Sequence, residues 1–155
     1  MLLVDTSVWI DYLRGGRNLS VEWFEDALEH GYPIGLTSQI YQEVLQGAES
    51  EKSFDRLHDY LSTQTIYEPL DPIESYREAA RIYFLCRRAG LTIRSTIDCL
   101  IARVAIEYDL LLLTCDRDFD HMARVLPALR LYSGPYGRPA GGASEIHEPS
   151  SGYDS

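Results

Sequence analysis

Short apolar segments that end at an acidic residue constrain the fold of this 155-residue chain more than any other feature. Residues 2–4 are followed at once by Asp5, and the four leucines at 110–113 are followed closely by Asp116. Runs without polar alternation are typical of strands buried on both faces of a parallel sheet. Both acids are therefore expected at the carboxyl ends of strands, the edge where open α/β sheets bind ligands.

The rest of the chain alternates further strand candidates with segments of helical periodicity. This alternation predicts βαβ crossovers, and hence an α/β fold with a parallel sheet covered by helices on both faces. The predicted strands cover residues 2–4, 34–37, 66–70, 110–114 and 129–132. Residues with cap-forming side chains predict helix starts at Thr6 or Ser7, Ser20, Ser38, Asp71 and Ser95 or Thr96.

Length and composition favour one domain over residues 1–133 and a disordered tail over residues 134–155, where Gly, Pro, Ser and Glu dominate. No apolar run approaches the roughly 18–20 residues that span a bilayer, and no charged leader precedes an apolar segment, so we expect a cytoplasmic protein. The cysteines at 86, 99 and 115 lack metal-binding spacing and are expected to be reduced thiols.

The formal net charge is −10, from 24 acidic and 14 basic residues. This balance argues against a protein that coats nucleic acid by bulk electrostatics. It remains compatible with an enzyme that grips a few phosphates through a metal ion and local arginines.

Four acids are expected to meet at one edge of the sheet. Asp5 and Asp116 follow strands, Asp98 borders the apolar face early in a helix, and Glu43 lies in the second helical turn after a strand. Two carboxylates about 4 Å apart repel by roughly 1–4 kcal/mol, so such a cluster keeps a proton or holds a cation. Oxygen ligands favour Mg²⁺ or Mn²⁺, and the histidines lack zinc spacing. This chemistry suits hydrolysis of a phosphodiester.

Each acid also has a purely structural explanation. Asp5 and Asp116 are each placed to cap a helix, and Asp98 is placed to form a capping box with Ser95. Glu43 is also explained as a solvated helix residue. Spacing alone leaves both roles open.

Four segments together resemble the PIN-domain ribonucleases, and among them the VapC-type toxins of bacterial toxin–antitoxin pairs. The segments are residues 4–10, Glu43 after the Thr37-Ser38 pair, residues 96–102 and residues 113–119, in the family's order. The resemblance implies a three-layer α/β/α fold with a central five-stranded parallel sheet. It also implies Mg²⁺-dependent endoribonuclease activity, a homodimer and a cognate VapB-type antitoxin.

The resemblance also assigns roles by position. Asp5 and Asp98 match the principal Mg²⁺ ligands, and Glu43 and Asp116 match the acids that hold water near the metal and position the nucleophile. The further residues that match the family are an accessory acid, Asp118, and two hydroxyls beside the site, Thr6 and Thr114.

Residues outside the acid cluster have two explanations each. Arg14, Arg17 and Arg94 lie in loops, where they either hold RNA phosphates or form a solvated surface. The candidate antitoxin-groove residues, which core packing explains equally well, are Trp9, Tyr12, Leu13, Trp23 and Phe24.

Two other functions fit parts of the pattern. A Mg²⁺-dependent phosphatase with Asp5 as covalent nucleophile usually has a second acid two residues later and a positioned lysine. Here those features correspond to Ser7 and to the sole lysine, Lys52, in an exposed-looking helix. The other alternative is a PIN fold that binds RNA or a partner without cutting, against which the intact acid set argues.

Overall fold

A computed structural model describes residues 1–134, so the predicted tail, apart from Gly134, lies outside the described residues. Within them, five strands form one sheet in the order β3-β2-β1-β4-β5, and every neighbouring pair is parallel. The predicted α/β fold with a five-stranded parallel sheet is confirmed. The strands are β1 (Leu2–Val4), β2 (Ile34–Thr37), β3 (Thr65–Tyr67), β4 (Leu111–Leu113) and β5 (Arg130–Leu131).

Helices connect the strands and cover both faces of the sheet. Among the described helices, none is long and apolar enough to cross a membrane. The helices are α1 (Thr6–Leu13), α2 (Leu19–Glu29), α3 (Ser38–Gln46), α4 (Glu51–Leu61), α5 (Glu74–Arg88), α6 (Thr96–Glu107) and α7 (Arg117–Val125).

Helix starts were predicted up to two residues too late, although Asp5 caps α1 in the structural role considered for it from the sequence. Asp5, Asn18 and Thr37 are the N-caps of α1, α2 and α3. Asn18 accepts a hydrogen bond from the backbone N–H of Val21 at 3.0 Å. A residue one or two positions before each predicted cap also carries a side-chain oxygen, and this earlier oxygen reaches the free N–H groups of the first turn.

The start of α5 was instead predicted too early. The carboxylate of Asp71 accepts from the backbone N–H groups of Ile73 and Glu74 at 2.9 and 2.7 Å, as predicted for a cap. It does so in a turn that precedes the regular helix, which begins at Glu74.

Aromatic residues of the first two helices belong mainly to the core. Trp9 and Phe24 are fully buried, with ring centroids 4.8 Å apart, and Tyr12 packs on Phe24 at 5.0 Å. Among the candidate groove residues, only Leu13 is strongly exposed, at 42%. The core explanation is therefore correct for Trp9 and Phe24.

The central strands fix the edge at which the acids lie. Residues of β1 pair with β4 in the register Val4 to Leu113, and the backbone N–H of Asp5 donates to the carbonyl of Leu113 at 2.9 Å. This last hydrogen bond between β1 and β4 holds the backbone of Asp5 in place. The start of α3 and the start of α7 leave the sheet at the same edge, because β1, β2 and β4 are parallel.

Candidate active site

Asp5 is a buried carboxylate at the end of β1, only 4% exposed. Its Oδ2 accepts from the hydroxyls of Ser7 at 2.8 Å and Thr114 at 3.1 Å. Burial raises the pKa of Asp5 above its ordinary value, and these hydrogen bonds oppose that rise. Asp5 also caps α1, so the same residue has the structural role and a place in the acid cluster.

Glu43 lies on α3, in its second turn, and is half-buried. The hydroxyl of Thr6 donates a hydrogen bond to its Oε2. This contact ties α3 to the start of α1 and turns the carboxylate inward, so Glu43 is not a solvated helix residue.

Asp98 lies in the first turn of α6 and is half-buried. Ser95 is the N-cap of this helix but makes no side-chain cap bond, so the capping box that offered a structural explanation for Asp98 does not form. Burial, followed by the charges of Asp5, Asp116, Glu43 and Asp118, raises the pKa of Asp98 to about 7. The cluster therefore repels the charged form of Asp98.

Asp116 and Asp118 share one cation, Arg94, which lies in the loop before α6. Arg94 Nη2 lies 2.7 Å from Asp116 Oδ1, and its Nε lies 3.2 Å from Asp118 Oδ2. The backbone N–H of Arg94 also donates to Asp118 at 2.9 Å. These contacts raise the pKa of the Arg94 guanidinium. Asp116 also caps α7 by accepting from the backbone N–H of Asp118.

The four predicted catalytic acids and the accessory acid form one acid cluster around Asp98, because the charges of the other four all act on its carboxyl group. Carboxylate oxygens of Asp98, Asp116 and Asp118 lie within 4.8 Å of one another, close enough to share a metal ion. This compact trio includes only one of the two predicted metal ligands, because Asp5 stands outside it. An all-carboxylate cluster with one charge-repelled member suits a hard divalent cation.

The predicted RNA-binding arginines lie in different surroundings. Arg14 is the C-cap of α1 and lines a separate cavity of about 390 Å³ together with Leu13 and Arg56. Arg17 lies beside Glu22 in another surface depression. Arg94 lies in a loop, as predicted, but its guanidinium contacts the acids of the site.

Two features of the site were not predicted from the sequence. Ser7 donates a hydrogen bond to Asp5, and its position two residues after an acid that can cap a helix was a usable signal. The ion pairs of Arg94 had no such signal, because they depend on the path of the loop before α6.

The profile of the PIN domain matches residues 2–125 of this chain. The "VapC ribonuclease Mb1587" of Mycobacterium bovis and the "Ribonuclease VapC11" of Mycobacterium tuberculosis are each 36% identical over 129 residues, which cover 81% of this chain and 93% of the relative.

Two solved structures share the fold at lower identity. VapBC2 from Rickettsia felis, solved bound to a DNA fragment from its promoter, gives a TM-score of 0.63 at 20% identity, over 84% of this chain and 96% of that chain. FitAcB from Neisseria gonorrhoeae gives a TM-score of 0.60 at 21% identity, over 86% of this chain and 97% of that chain. The profile match and the identity to curated relatives show that this chain belongs to the VapC group of the PIN-domain family.

Proposed function

We propose that this chain is a Mg²⁺-dependent endoribonuclease toxin that hydrolyses RNA phosphodiesters and is inhibited by a cognate VapB-type antitoxin. The observation that carries the proposal is the state of Asp98. It lies among four other carboxyl groups, and no hydrogen-bond donor from residues 1–134 reaches it. Burial and, after it, the neighbouring negative charges raise the pKa of Asp98, and a divalent cation at this point offsets both.

In this proposal Asp5 and Asp98 hold the cation, Mg²⁺ or in its place Mn²⁺. Both present oxygen ligands at the sheet edge, and Asp5 is fixed there by the ladder bond to Leu113. When bound, the ion polarises a phosphoryl oxygen and lowers the pKa of water.

The remaining residues orient the reactants. Thr114 and Ser7 donate to Oδ2 of Asp5 and so fix the direction of that carboxylate. The Thr6 hydroxyl does the same for Glu43. Glu43 and Asp116 are proposed to orient the attacking water, and Asp118 to hold the Arg94 loop in place.

RNA is proposed to approach through local positive charge, since the protein as a whole is acidic. Arg94 is the best placed of the three arginines, because its exposed guanidinium already lies at the acid cluster. Arg14 and Arg17 lie farther along the surface and are proposed as secondary phosphate contacts.

The antitoxin is proposed to bind the groove between α1, α3 and α4. The groove has apolar walls that include Ile10, Leu13 and Val44, with Arg14 and Arg56 among its lining residues. The similarity of the fold to VapBC2 and FitAcB supports an antitoxin partner of this kind. We also propose a homodimer that acts in the cytoplasm.

The phosphatase alternative is less well supported. Ser7 occupies the position of the second acid and donates to Asp5. Lys52 is exposed in α4, which contributes no residue to the acid cluster.

The proposal is tested by incubating the full-length protein with structured RNA in the presence of Mg²⁺, with EDTA, and as the Asp98→Asn variant. We expect Mg²⁺-dependent cleavage that EDTA abolishes and that falls at least about a hundredfold in the variant, since even residues that only support a metal ligand cost 10- to 100-fold. Cleavage that survives both changes would contradict the proposal. Turnover of a small phosphomonoester would favour the phosphatase.

A further inference from the structure

A depression of about 430 Å³ lies beside the acid cluster, between the start of α7 and the loop before α6. Its wall includes the side chains of Arg94, Arg117 and His121, and we call it the α7 pocket. The roles proposed above for the acids and for Arg94 leave Arg117 and His121 without a function.

The α7 pocket borders the acid cluster directly. Ser7 lines the pocket and donates a hydrogen bond to Oδ2 of Asp5. Asp116 and Asp118 also line the pocket, and their charges act on Asp98. A nucleic-acid strand with one phosphate at the acid cluster therefore has a neighbouring phosphate within reach of the α7 pocket.

The guanidinium groups of this pocket face solvent more than its carboxylates do. The side chain of Arg94 is 69% exposed, against 26% for Asp116 and 6% for Asp118. Oδ1 of Asp116 and Oδ2 of Asp118 already accept hydrogen bonds from Arg94. A ligand that enters the pocket therefore meets mainly positive charge, although the protein as a whole is acidic.

The pocket also contains donor groups that the protein leaves unused. Arg94 contacts the acids through Nε and Nη2, and its Nη1 has no hydrogen-bond partner within residues 1–134. The exposed guanidinium of Arg117 forms no ion pair or hydrogen bond with any residue that the structure describes.

The imidazole of His121 adds a third donor. Its Nδ1 is buried and finds no hydrogen-bond partner in the described part of the chain. A proton at Nδ1 would be an unsatisfied buried donor, which favours the tautomer that carries the proton on Nε2. His121 follows Arg117 by four residues on α7, so the two side chains extend from one face of that helix.

We infer that the α7 pocket binds the phosphate next to the scissile one in an RNA strand, an inference that rests on the proposed RNA hydrolysis. The charge of this second phosphate would be repelled by the acids unless nearby cations compensate it. Guanidinium groups bind the two non-bridging oxygens of a phosphodiester in a bidentate manner, and the imidazole N–H supplies a further donor.

The first measurement separates RNA binding from cleavage. In full-length Asp98→Asn protein with saturating Mg²⁺, fluorescence anisotropy gives the Kd of a labelled single-stranded RNA of mixed sequence at several salt concentrations. We expect Arg117→Ala to raise Kd about fivefold, the loss of one exposed charged contact. The slope of log Kd against log salt concentration should fall by about 0.7, the value for one phosphate contact on a single strand.

Arg124→Ala is the matched control. Arg124 is an exposed arginine in the last turn of the same helix and does not line the pocket. Its removal changes the net charge equally, so both Kd and the slope should stay close to those of the parent. At about pH 8, where free histidine is neutral, His121→Ala should raise Kd less than Arg117→Ala and leave the slope unchanged.

A second measurement locates the phosphate along the strand. On an RNA whose cut has been mapped from sequenced ends, a single uncharged methylphosphonate beside a 2′-deoxy sugar is moved one linkage at a time. The same deoxy sugar with an ordinary linkage is the control. With wild-type protein we expect KM to rise at one linkage next to the cut, and with Arg117→Ala we expect no further rise there, because the contact is already lost.

The inference is overturned if Arg117→Ala binds RNA like Arg124→Ala, a result that would point to a carboxylate of a protein partner as the ligand. It is also overturned if the parent binds no RNA, or if the methylphosphonate effect is the same with and without Arg117. A loss of binding confined to Arg117→Ala, together with a wild type that cuts no RNA, would support the phosphate site and contradict the proposed hydrolysis.

Discussion

The negative charges in the two halves of the acid cluster are compensated in different ways. In the hydroxyl half, the side-chain hydrogen bonds that Asp5 and Glu43 receive from residues 1–134 come only from neutral hydroxyl groups. In the arginine half, Asp116 and Asp118 share the guanidinium of Arg94. Residues 1–134 therefore supply a cation on one side of the site and none on the other.

Asp98 shows the consequence of this difference. Its pKa is raised to about 7, with Asp5 as the largest charge contribution after burial. Hydroxyl donors orient a carboxylate without cancelling its charge, whereas a guanidinium does both. We propose that an external divalent cation binds at the hydroxyl half, and that within the arginine half Asp118 positions the loop before α6.

The largest expected effect is a difference in RNA cleavage between a variant in the hydroxyl half and a variant in the arginine half. We expect Asp5→Asn to reduce RNA cleavage at least about a hundredfold, because it removes a proposed ligand. Asp118→Asn should cost about tenfold, because its amide oxygen still accepts from the backbone N–H of Arg94. Initial cleavage rates at saturating Mg²⁺ are the measurement, with circular dichroism to confirm that both variants fold. Equal losses would mean that Asp118 is a ligand too.

A smaller effect concerns Arg94, the cation that the chain itself supplies to the arginine half. Arg94→Ala should lower the Tm of the metal-free protein by a few degrees, because two carboxylates lose their counter-ion. Added Mg²⁺ should then raise the Tm of the variant more than that of the wild type. Arg117→Ala is the control, since Arg117 is exposed and forms no ion pair within residues 1–134. An identical response of both variants to Mg²⁺ would argue against a charge role for Arg94.

The smallest effect is a pH dependence in EDTA. The pKa of Asp98 is about 7 in the folded chain, against an ordinary value of 3.8, so between about pH 4 and pH 7 the folded state holds a proton that the unfolded state has released. The free energy of unfolding should therefore fall as pH rises through this range, and the fall should end above pH 7. Urea unfolding of wild type and Asp98→Asn at each pH isolates this contribution, which should be absent from the variant. Parallel curves would contradict the raised pKa.

The fold was largely predictable because its determinants are local. The leucine run at 110–113 and the apolar residues 2–4 permit few structures other than central strands, and they form β4 and β1. Helix starts were less predictable, because neighbouring residues such as Thr37 and Ser38 both carry oxygens and backbone geometry selects between them. The start of α5 was obscured by a capped turn that precedes it.

The candidate site was predictable to the extent that it depends on strand ends. Asp5 follows β1 directly and Asp116 follows β4 after two residues, so their meeting at one edge required only a parallel sheet. The ion pairs of Arg94 required the path of a loop, and the α7 pocket required the packing of α7 beside that loop. Neither feature leaves a periodic pattern in the sequence.

Calorimetric titration of Mg²⁺ into EDTA-stripped full-length protein tests the central claim most directly, using wild type, Asp98→Asn and Arg94→Ala. We predict that wild type and Arg94→Ala bind Mg²⁺ and that Asp98→Asn binds it at least about tenfold more weakly. Equal affinity in wild type and Asp98→Asn, or no binding by the wild type, would contradict the account.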